Sequence, residues 1–254
     1  MSETPILESL AEGVLTVTLS RPDKRNALDS ATVESVHAAL ERGELDAQVR
    51  VVALRGAGKD FCAGADLAEL LESADRTMDE NRANARRLGD VFVRMRALPK
   101  PVVAVVHGRA LAGGCGLATA CDMVLARADA QFGYPEVSRG FVPAMVMAML
   151  RRVTGEKAAF DLVMTGRILS AAEAQAAGLV SRVIGTDGFE AEVAAILRAL
   201  ARQSASAMAL IKRQLYELDG RSFVEGIRLG ADVNAVARTT PDFRDAIAAF
   251  LKQK

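Results

Sequence analysis

Hydrophobic positions along this chain fall into short apolar runs separated by segments with helical spacing. Val14-Leu15-Thr16-Val17-Thr18-Leu19 is β-branched and alternating and stops at the turn signal Ser20-Arg21-Pro22-Asp23, so it reads as a strand entering a loop. From Asp29 or Ser30 to Arg42, a good N-cap precedes Val33, Val36 and Leu40 at helical spacing. Val51-Val52-Ala53-Leu54, between Arg50 and Arg55, suits a buried strand; it empties into a small-residue loop, and a helix resumes near Asp66. Residues 76–97 are polar and helix-favouring and stop before Pro99, after which residues 101–106 form another buried-strand run. Then come His107-Gly108, Gly113-Gly114-Cys115-Gly116, small apolar residues to Cys121, and a fourth strand at residues 123–126.

Strand and helix alternate over the first two-thirds, which predicts an α/β architecture of βαβ-type crossovers. Beyond Pro143 helical patterns dominate, at 144–153, 156–164, 170–176 and 189–203 and then to the C-terminus, with only residues 180–184 reading as extended. No fixed-period repeat and no Ser/Gly/Pro linker divides the chain.

Composition narrows the field. At 254 residues with 50% hydrophobic and 25% charged positions, collagen-like, low-complexity and disordered classes are excluded. Lys+Arg 32 against Asp+Glu 32 leaves no global field to draw in nucleic acid or an anionic membrane, so any anionic ligand must be held by local charges. The opening MSETPILESLAEG carries acids and no apolar core, so no signal or transit peptide is expected. The stretch 110–121 is too short and Gly-rich for a membrane span. Cys62, Cys115 and Cys121, an odd number, point to reduced thiols in a cytoplasmic compartment.

Three strand ends deliver loops of small residues, which is where ligands bind in α/β folds. Gly56-Ala57-Gly58-Lys59 fails as a phosphate loop, because that pattern needs Gly at Ala53 and Ser or Thr at Asp60. Residues 108–116 lack the order of a dinucleotide fingerprint. Two loops remain: Ala63-Gly64-Ala65-Asp66 and Gly113-Gly114-Cys115-Gly116, each opening a helix. Helix N-termini offer unpaired N–H groups, and two such loops suit an oxyanion hole, where a donor is worth roughly 3 to 4 kcal/mol in acyl transfer. The same glycines also suit tight packing alone, and spacing does not separate the two.

At these residues the sequence resembles the crotonase superfamily, the enoyl-CoA hydratase/isomerase family. The likeness runs through Leu19-Ser20-Arg21-Pro22-Asp23-Lys24-Arg25-Asn26-Ala27-Leu28, Asp60-Phe61-Cys62-Ala63-Gly64-Ala65-Asp66-Leu67, residues 100–108, Ala112-Gly113-Gly114-Cys115-Gly116-Leu117-Ala118, Phe132-Gly133-Tyr134-Pro135-Glu136-Val137 and Leu169-Ser170-Ala171-Ala172-Glu173-Ala174 on to Gly178-Leu179-Val180. It implies a ββα-superhelix core of repeated strand–helix units, residues 1–195, that binds acyl-CoA. It also implies a helical C-terminal region, residues 196–254, that forms trimers or dimers of trimers and leans over a neighbouring site; Phe243, Ile247, Phe250 and Leu251 mark its last helix. The partner is an acyl-CoA thioester, with no nucleic acid and no membrane. No metal and no separate cofactor are expected, coenzyme A being part of the substrate.

Position by position, the resemblance implies that the Ala65 and Gly113 N–H groups hold the thioester oxygen and that Glu136 is the acid/base carboxylate. It places Lys24 and Arg25 near the CoA phosphates or ribose, and Ala63, Asp66 and Leu67 along the adenine and pantetheine path. One departure is informative: hydratases of this family carry a second glutamate where this chain has Gly116, and Ala112 replaces a common glycine. A lone carboxylate suits a one-base proton shuttle that isomerises a double bond, since isomerisation needs no water. The alternatives are a 2-enoyl-CoA hydratase whose water is held by another group, an acyl-CoA decarboxylase, and an acyl-CoA binder without turnover. A serine-type hydrolase or a carboxyltransferase finds no triad among His37, His107 and their surroundings.

Glu136 needs a raised pKa to work near neutrality, and Phe132, Phe141, Val142 and Met145 are candidates for an apolar lining. His107, Cys62 and Cys115 read as structural side chains. Ser138 and Arg139 follow Glu136 closely and are candidates to face the acyl tail, their direction not being set by the sequence, and the alternation of Met145, Met147 and Met149 predicts that they point different ways.

Overall fold

The computed structural model describes residues 4–252. In chain order its elements are β1 (Ile6–Ala11), β2 (Val14–Leu19), α1 (Ser30–Leu45), β3 (Val51–Gly56), α2 (Leu67–Glu72), α3 (Met78–Ala97), β4 (Val102–Val106), β5 (Arg109–Leu111), α4 (Gly113–Ala120), β6 (Met123–Arg127) and β7 (Gln131–Gly133). There follow α5 (Ala144–Thr154), α6 (Glu156–Thr165), β8 (Ile168–Ser170), α7 (Ala171–Ala176), β9 (Arg182–Ile184), α8 (Phe189–Ala201), α9 (Ala205–Glu217), α10 (Phe223–Ala237) and α11 (Pro241–Lys252).

One sheet runs β1-β2-β3-β4-β6-β9; β1 pairs antiparallel with β2, and the remaining pairings are parallel. Period-2 alternation sorts its side chains to two faces. Val51, Ala53, Val103 and Val105 meet α8 on one side, while Val52, Leu54, Val102, Ala104 and Val106 join the larger core shared with α1, α3 and α4 on the other. Helix α8 presents Phe189, Val193, Leu197 and Ala201, one residue every four, so its buried stripe lies along the sheet. A second sheet, β5-β7-β8, carries the chain from β4 to the segment bearing Glu136.

The expected α/β alternation is the fold observed. Four strands escape the hydrophobic pattern. In β1 only Ile6 is buried, so an edge strand carries no apolar alternation, and β5, β7 and β8 are three residues each. Residues 180–184 are therefore not the sole extended part of the second half: Ile168–Ser170 is a strand that ends on the N-cap of α7. Thr77 caps α3 in a reciprocal pair with Glu80, the S/T-x-x-E signature that marks where that helix starts.

Among the described residues no helix is long and apolar enough to cross a membrane. Helix α9 is fastened to the core by a buried cation. Lys212 Nζ lies 2.7 Å from Asp122 Oδ2 and donates to the carbonyls of Met95 (2.7 Å) and Lys100 (2.9 Å). Asp122 also accepts from Tyr216 Oη at 2.6 Å and from the Val102 N–H at 2.7 Å. Removing one partner strands the other's charge, so Lys212→Met is expected to lower the unfolding free energy by about 3 kcal/mol in a urea titration. A loss below about 1 kcal/mol would show that α9 is held by its apolar contacts instead.

Candidate active site

Two segments meet at the carboxyl ends of β3 and β4. The chain leaving β3 forms parallel bridges at Cys62 with Ala110 and at Ala65 with Leu28. In the second bridge Leu28 N donates to Gly64 O at 2.8 Å and Asp66 N to Leu28 O at 2.9 Å. A parallel bridge uses the groups on either side of the paired residue, so the Ala65 N–H is turned to the opposite side. Gly113 is the first residue of α4, where an N–H has no acceptor within its own helix. A β-carbon added at Gly113 would lie 3.9 Å from Ala65 N and 3.7 Å from Leu28 Cδ1, so the bare Gly113 α-carbon borders the space in front of the Ala65 N–H. The structure thus brings the two residues expected to donate close together.

The approach is close enough to constrain backbones. Gly64 has φ +97°, and a β-carbon there would stand 2.7 Å from Ala112 Cβ. Ala112 itself has φ 51° and ψ −127°, a conformation that glycine adopts freely and that costs alanine roughly 1–3 kcal/mol. Its N–H donates to Gly133 O at 2.9 Å, which binds the start of α4 to the end of β7.

Three residues beyond Gly133, a short 3-10 turn (Pro135–Arg139) carries Glu136. The side chain is buried, and its Oε2 has no hydrogen-bond partner in the protein. Burial pushes the carboxyl above its ordinary range, against a weaker downward pull from its own N–H and from Arg139. A buried carboxyl with a raised pKa suits the acid/base role expected of this position.

Gly116 lies on α4 against α5. A β-carbon at this position would be 2.6 Å from Val146 Cγ2 and 3.4 Å from Phe92 Cζ, both belonging to buried side chains. The room that any side chain at 116 would need is taken by Val146. Nothing in the sequence pattern singles out Val146, thirty positions away, because its role follows from the packing of α4 on α5. Of the lining expected around Glu136, Phe132 is wholly buried in the main core, Phe141 and Val142 are exposed, and Met145 is half-buried, its sulfur near Gly89 of α3. Met147 is exposed and Met149 buried, as their alternation implied.

Lys24 and Arg25 are exposed on the turn after β2, and Arg25 O accepts from Ala63 N at 3.0 Å, so this turn adjoins the Ala65 loop. Ala63 and Asp66 are half-buried, and Leu67 is exposed. Asp66 caps α2 through Ala68 N, and its carboxyl is lowered because hydrogen bonds from Arg21 and the Ala68 and Glu69 N–H groups outweigh burial. Burial raises the thiols of Cys62 to about 12 and Cys115 to about 11, so both stay protonated and serve as packing. His107 Nε2 is 2.9 Å from Gly58 O. Sequence reading passed over Arg21, which ties Asp29 and Asp66 together.

The raised Glu136 pKa carries a stability consequence. Folding favours the protonated carboxyl, so its contribution is complete below the unfolded-state pKa and is lost as pH rises through the folded one. Glu136→Gln is therefore expected to melt at the same temperature as the wild type or higher at pH 7, with the gap closing as pH falls through the carboxylate range. A variant that melts lower than wild type at pH 7 would contradict the unpaired, buried state of this carboxylate.

A family described as enoyl-CoA hydratase/isomerase matches residues 9–254. A Thermus thermophilus protein bearing the enoyl-CoA hydratase name is 42% identical over 241 residues, 95% of each chain. The 2,3-dehydroadipyl-CoA hydratase of Escherichia coli is 33% identical over 256 residues, spanning 100% of this chain and 97% of its own. The crystal structure of an enoyl-CoA hydratase from Mycobacterium smegmatis superposes with a TM-score of 0.94 at 32% identity, covering 99% of this chain and 98% of that one.

Proposed function

The chain belongs to the enoyl-CoA hydratase/isomerase family and acts on acyl-CoA thioesters, and from that premise we propose that it moves a carbon–carbon double bond by a one-base shuttle. Glu136 takes a proton from carbon 2 of a 3-enoyl thioester, and the charge spreads onto the thioester oxygen. The Ala65 and Gly113 N–H groups hold that oxygen through the dienolate, and Glu136 returns the proton at carbon 4. The proton given back is the one removed, so neither water nor redox partner enters.

The observation that carries this reading is the α4–α5 contact: Val146 and Phe92 fill the side-chain room at Gly116, the position where the resemblance puts a hydratase's second glutamate, so no second carboxylate stands there to hold a water. The desolvated Glu136, whose Oε2 no protein group satisfies, agrees with it, because burial raises the proton affinity of a carboxylate. Lys24 and Arg25 supply cations for the CoA phosphates or ribose, and Ala63, Asp66 and Leu67 border the rest of the carrier. CoA comes and goes with the substrate, so no resident cofactor is required. The catalytic core, expected over residues 1–195, extends through α8, whose Leu197 and Ala201 are buried against the sheet, and the helices after it assemble a cytoplasmic trimer or dimer of trimers. Exposed Phe223, Ile227 and Val236 on α10 favour such assembly. Hydration of a 2-enoyl thioester is the second reading, favoured by the hydratase names of the Escherichia coli and Mycobacterium smegmatis relatives.

The ultraviolet band of the conjugated enoyl thioester separates them. We expect 3-enoyl-CoA to gain conjugation with wild-type protein and Glu136→Gln to be slower by about 100-fold or more. Loss of conjugation from 2-enoyl-CoA at an equal or greater rate would establish hydration instead, and an unchanged rate in Glu136→Gln would remove the base.

The Val146 contact changes what a glutamate at 116 can do. Gly116→Glu alone forces the buried Val146 aside, which is expected to cost about 1–3 kcal/mol of stability. Gly116→Glu combined with Val146→Ala opens the room, and its hydration rate should exceed that of the wild type. A folded double variant that hydrates no faster would show that the missing carboxylate is not what limits hydration.

A further inference from the structure

Arg21 follows β2, its side chain four-fifths buried with 20% exposed. Nη1 donates to the Ala27 carbonyl at 2.6 Å, and Nη2 reaches Asp29 Oδ2 and Asp66 Oδ2, each at 3.0 Å. The other oxygen of each carboxylate is committed to a helix start. Asp29 Oδ1 accepts from Thr32 N at 2.8 Å at the head of α1, and Asp66 Oδ1 from Ala68 N at 3.0 Å at the head of α2. Between these aspartates runs the Leu28–Ala65 bridge, whose hydrogen bonds join Leu28 to Gly64 and Asp66.

One guanidinium therefore grips both edges of the bridge that turns the Ala65 N–H outward. We infer that Arg21 is a positioning residue for the oxyanion hole: its fork locks the register between residues 27–29 and 64–66 and so fixes the aim of the Ala65 N–H. This rests on the reading that the Ala65 N–H polarises the thioester. The chemistry asks for arginine, since a planar fork can meet a carbonyl and two carboxylates at once where an ammonium acts as a point charge. Without the cation the two carboxylates, both drawn to one nitrogen, repel each other and spread the strands they flank. A donor's contribution to an oxyanion falls steeply with misdirection, so small spreading is enough to matter. A separate tie keeps the loops together when the guanidinium is gone. Asn26 Oδ1 accepts from Arg21 N at 3.0 Å, and its Nδ2 donates to Ala57 O and Asp60 O, each at 2.8 Å.

The probe is the 4-(dimethylamino)cinnamoyl thioester of CoA, whose extended conjugation resists turnover and whose absorption moves to longer wavelength when its carbonyl is polarised. With wild type and Glu136→Gln we expect the full red shift on binding. With Arg21→Gln we expect at least half of that shift to vanish and kcat to fall about tenfold or more with KM within about threefold, the split that marks an interaction realised in the transition state. Arg21→Lys should recover only part of both. Asp29→Asn keeps an oxygen to cap α1 but withdraws one charge from the clamp, so it should lose part of the shift at near wild-type melting temperature, and it decides the matter where Arg21→Gln does not fold. Full red shift and full kcat in folded Arg21→Gln or Asp29→Asn, with only the melting temperature lowered, would leave Arg21 a structural residue and overturn the inference. Absence of any red shift with the wild type would instead overturn the donor reading, and the inference would fall with it. Full activity in Glu136→Gln touches the base alone.

Discussion

The proposed oxyanion hole asks for two backbone N–H groups side by side, those of Ala65 and Gly113, and the local structure is arranged around their closeness. Here neither donor is wrested from regular structure. Ala65 shows its N–H outward because a parallel bridge spends the groups of its neighbours, and Gly113 because it begins a helix. What must be built is the closeness of the two. It is built from Gly64 at φ +97°, from Ala112 in a conformation that suits glycine, and from the Cys62–Ala110 bridge that draws the loop against β5.

The charges around this cleft divide into settled and unsettled ones. Asp66, Asp29 and Asp60 each meet an arginine: Arg21 serves the first two, and Arg109 takes Asp60 through two hydrogen bonds at 2.9 and 3.0 Å. These pairs fix loops. Glu136 is the contrast, buried with an oxygen that no protein group satisfies. Packing for stability alone would not leave that atom unpaired, because an unpaired buried carboxylate weakens the folded state at neutral pH. Retaining it is the usual trade between stability and activity.

How much of this was legible in the sequence depends on whether the cause is local. Buried strands such as residues 102–106 announce themselves, since both faces are covered and the run is wholly apolar. Strand β1 does not, because five of its six residues are exposed, and the three-residue strands of the second sheet offer no period to detect. The donor loops were visible as small residues ahead of helices, and the resemblance named the positions within them. The clamp at Arg21 was hidden in a turn motif, its partners eight and forty-five residues away. Val146 left no signal, and the neighbours expected for Glu136 were chosen by proximity in sequence, which brought in Phe141 and Val142, both exposed on the turn beyond it.

A fold shared over nearly the full length with hydratases constrains the reaction less than one contact does. The likeness at a TM-score of 0.94 concerns the fold as a whole, and a shared fold does not by itself fix the reaction. Hydration adds a requirement, a site for one oriented water beside the base. In this chain the α4–α5 contact places a methyl group of Val146 and the edge of the Phe92 ring where residue 116 would project, and apolar surface cannot orient a water through hydrogen bonds. Gly116 and Val146 thus have to be read as a pair. The glycine leaves the space, the valine fills it, and neither residue alone says which chemistry the dry carboxylate is left to perform.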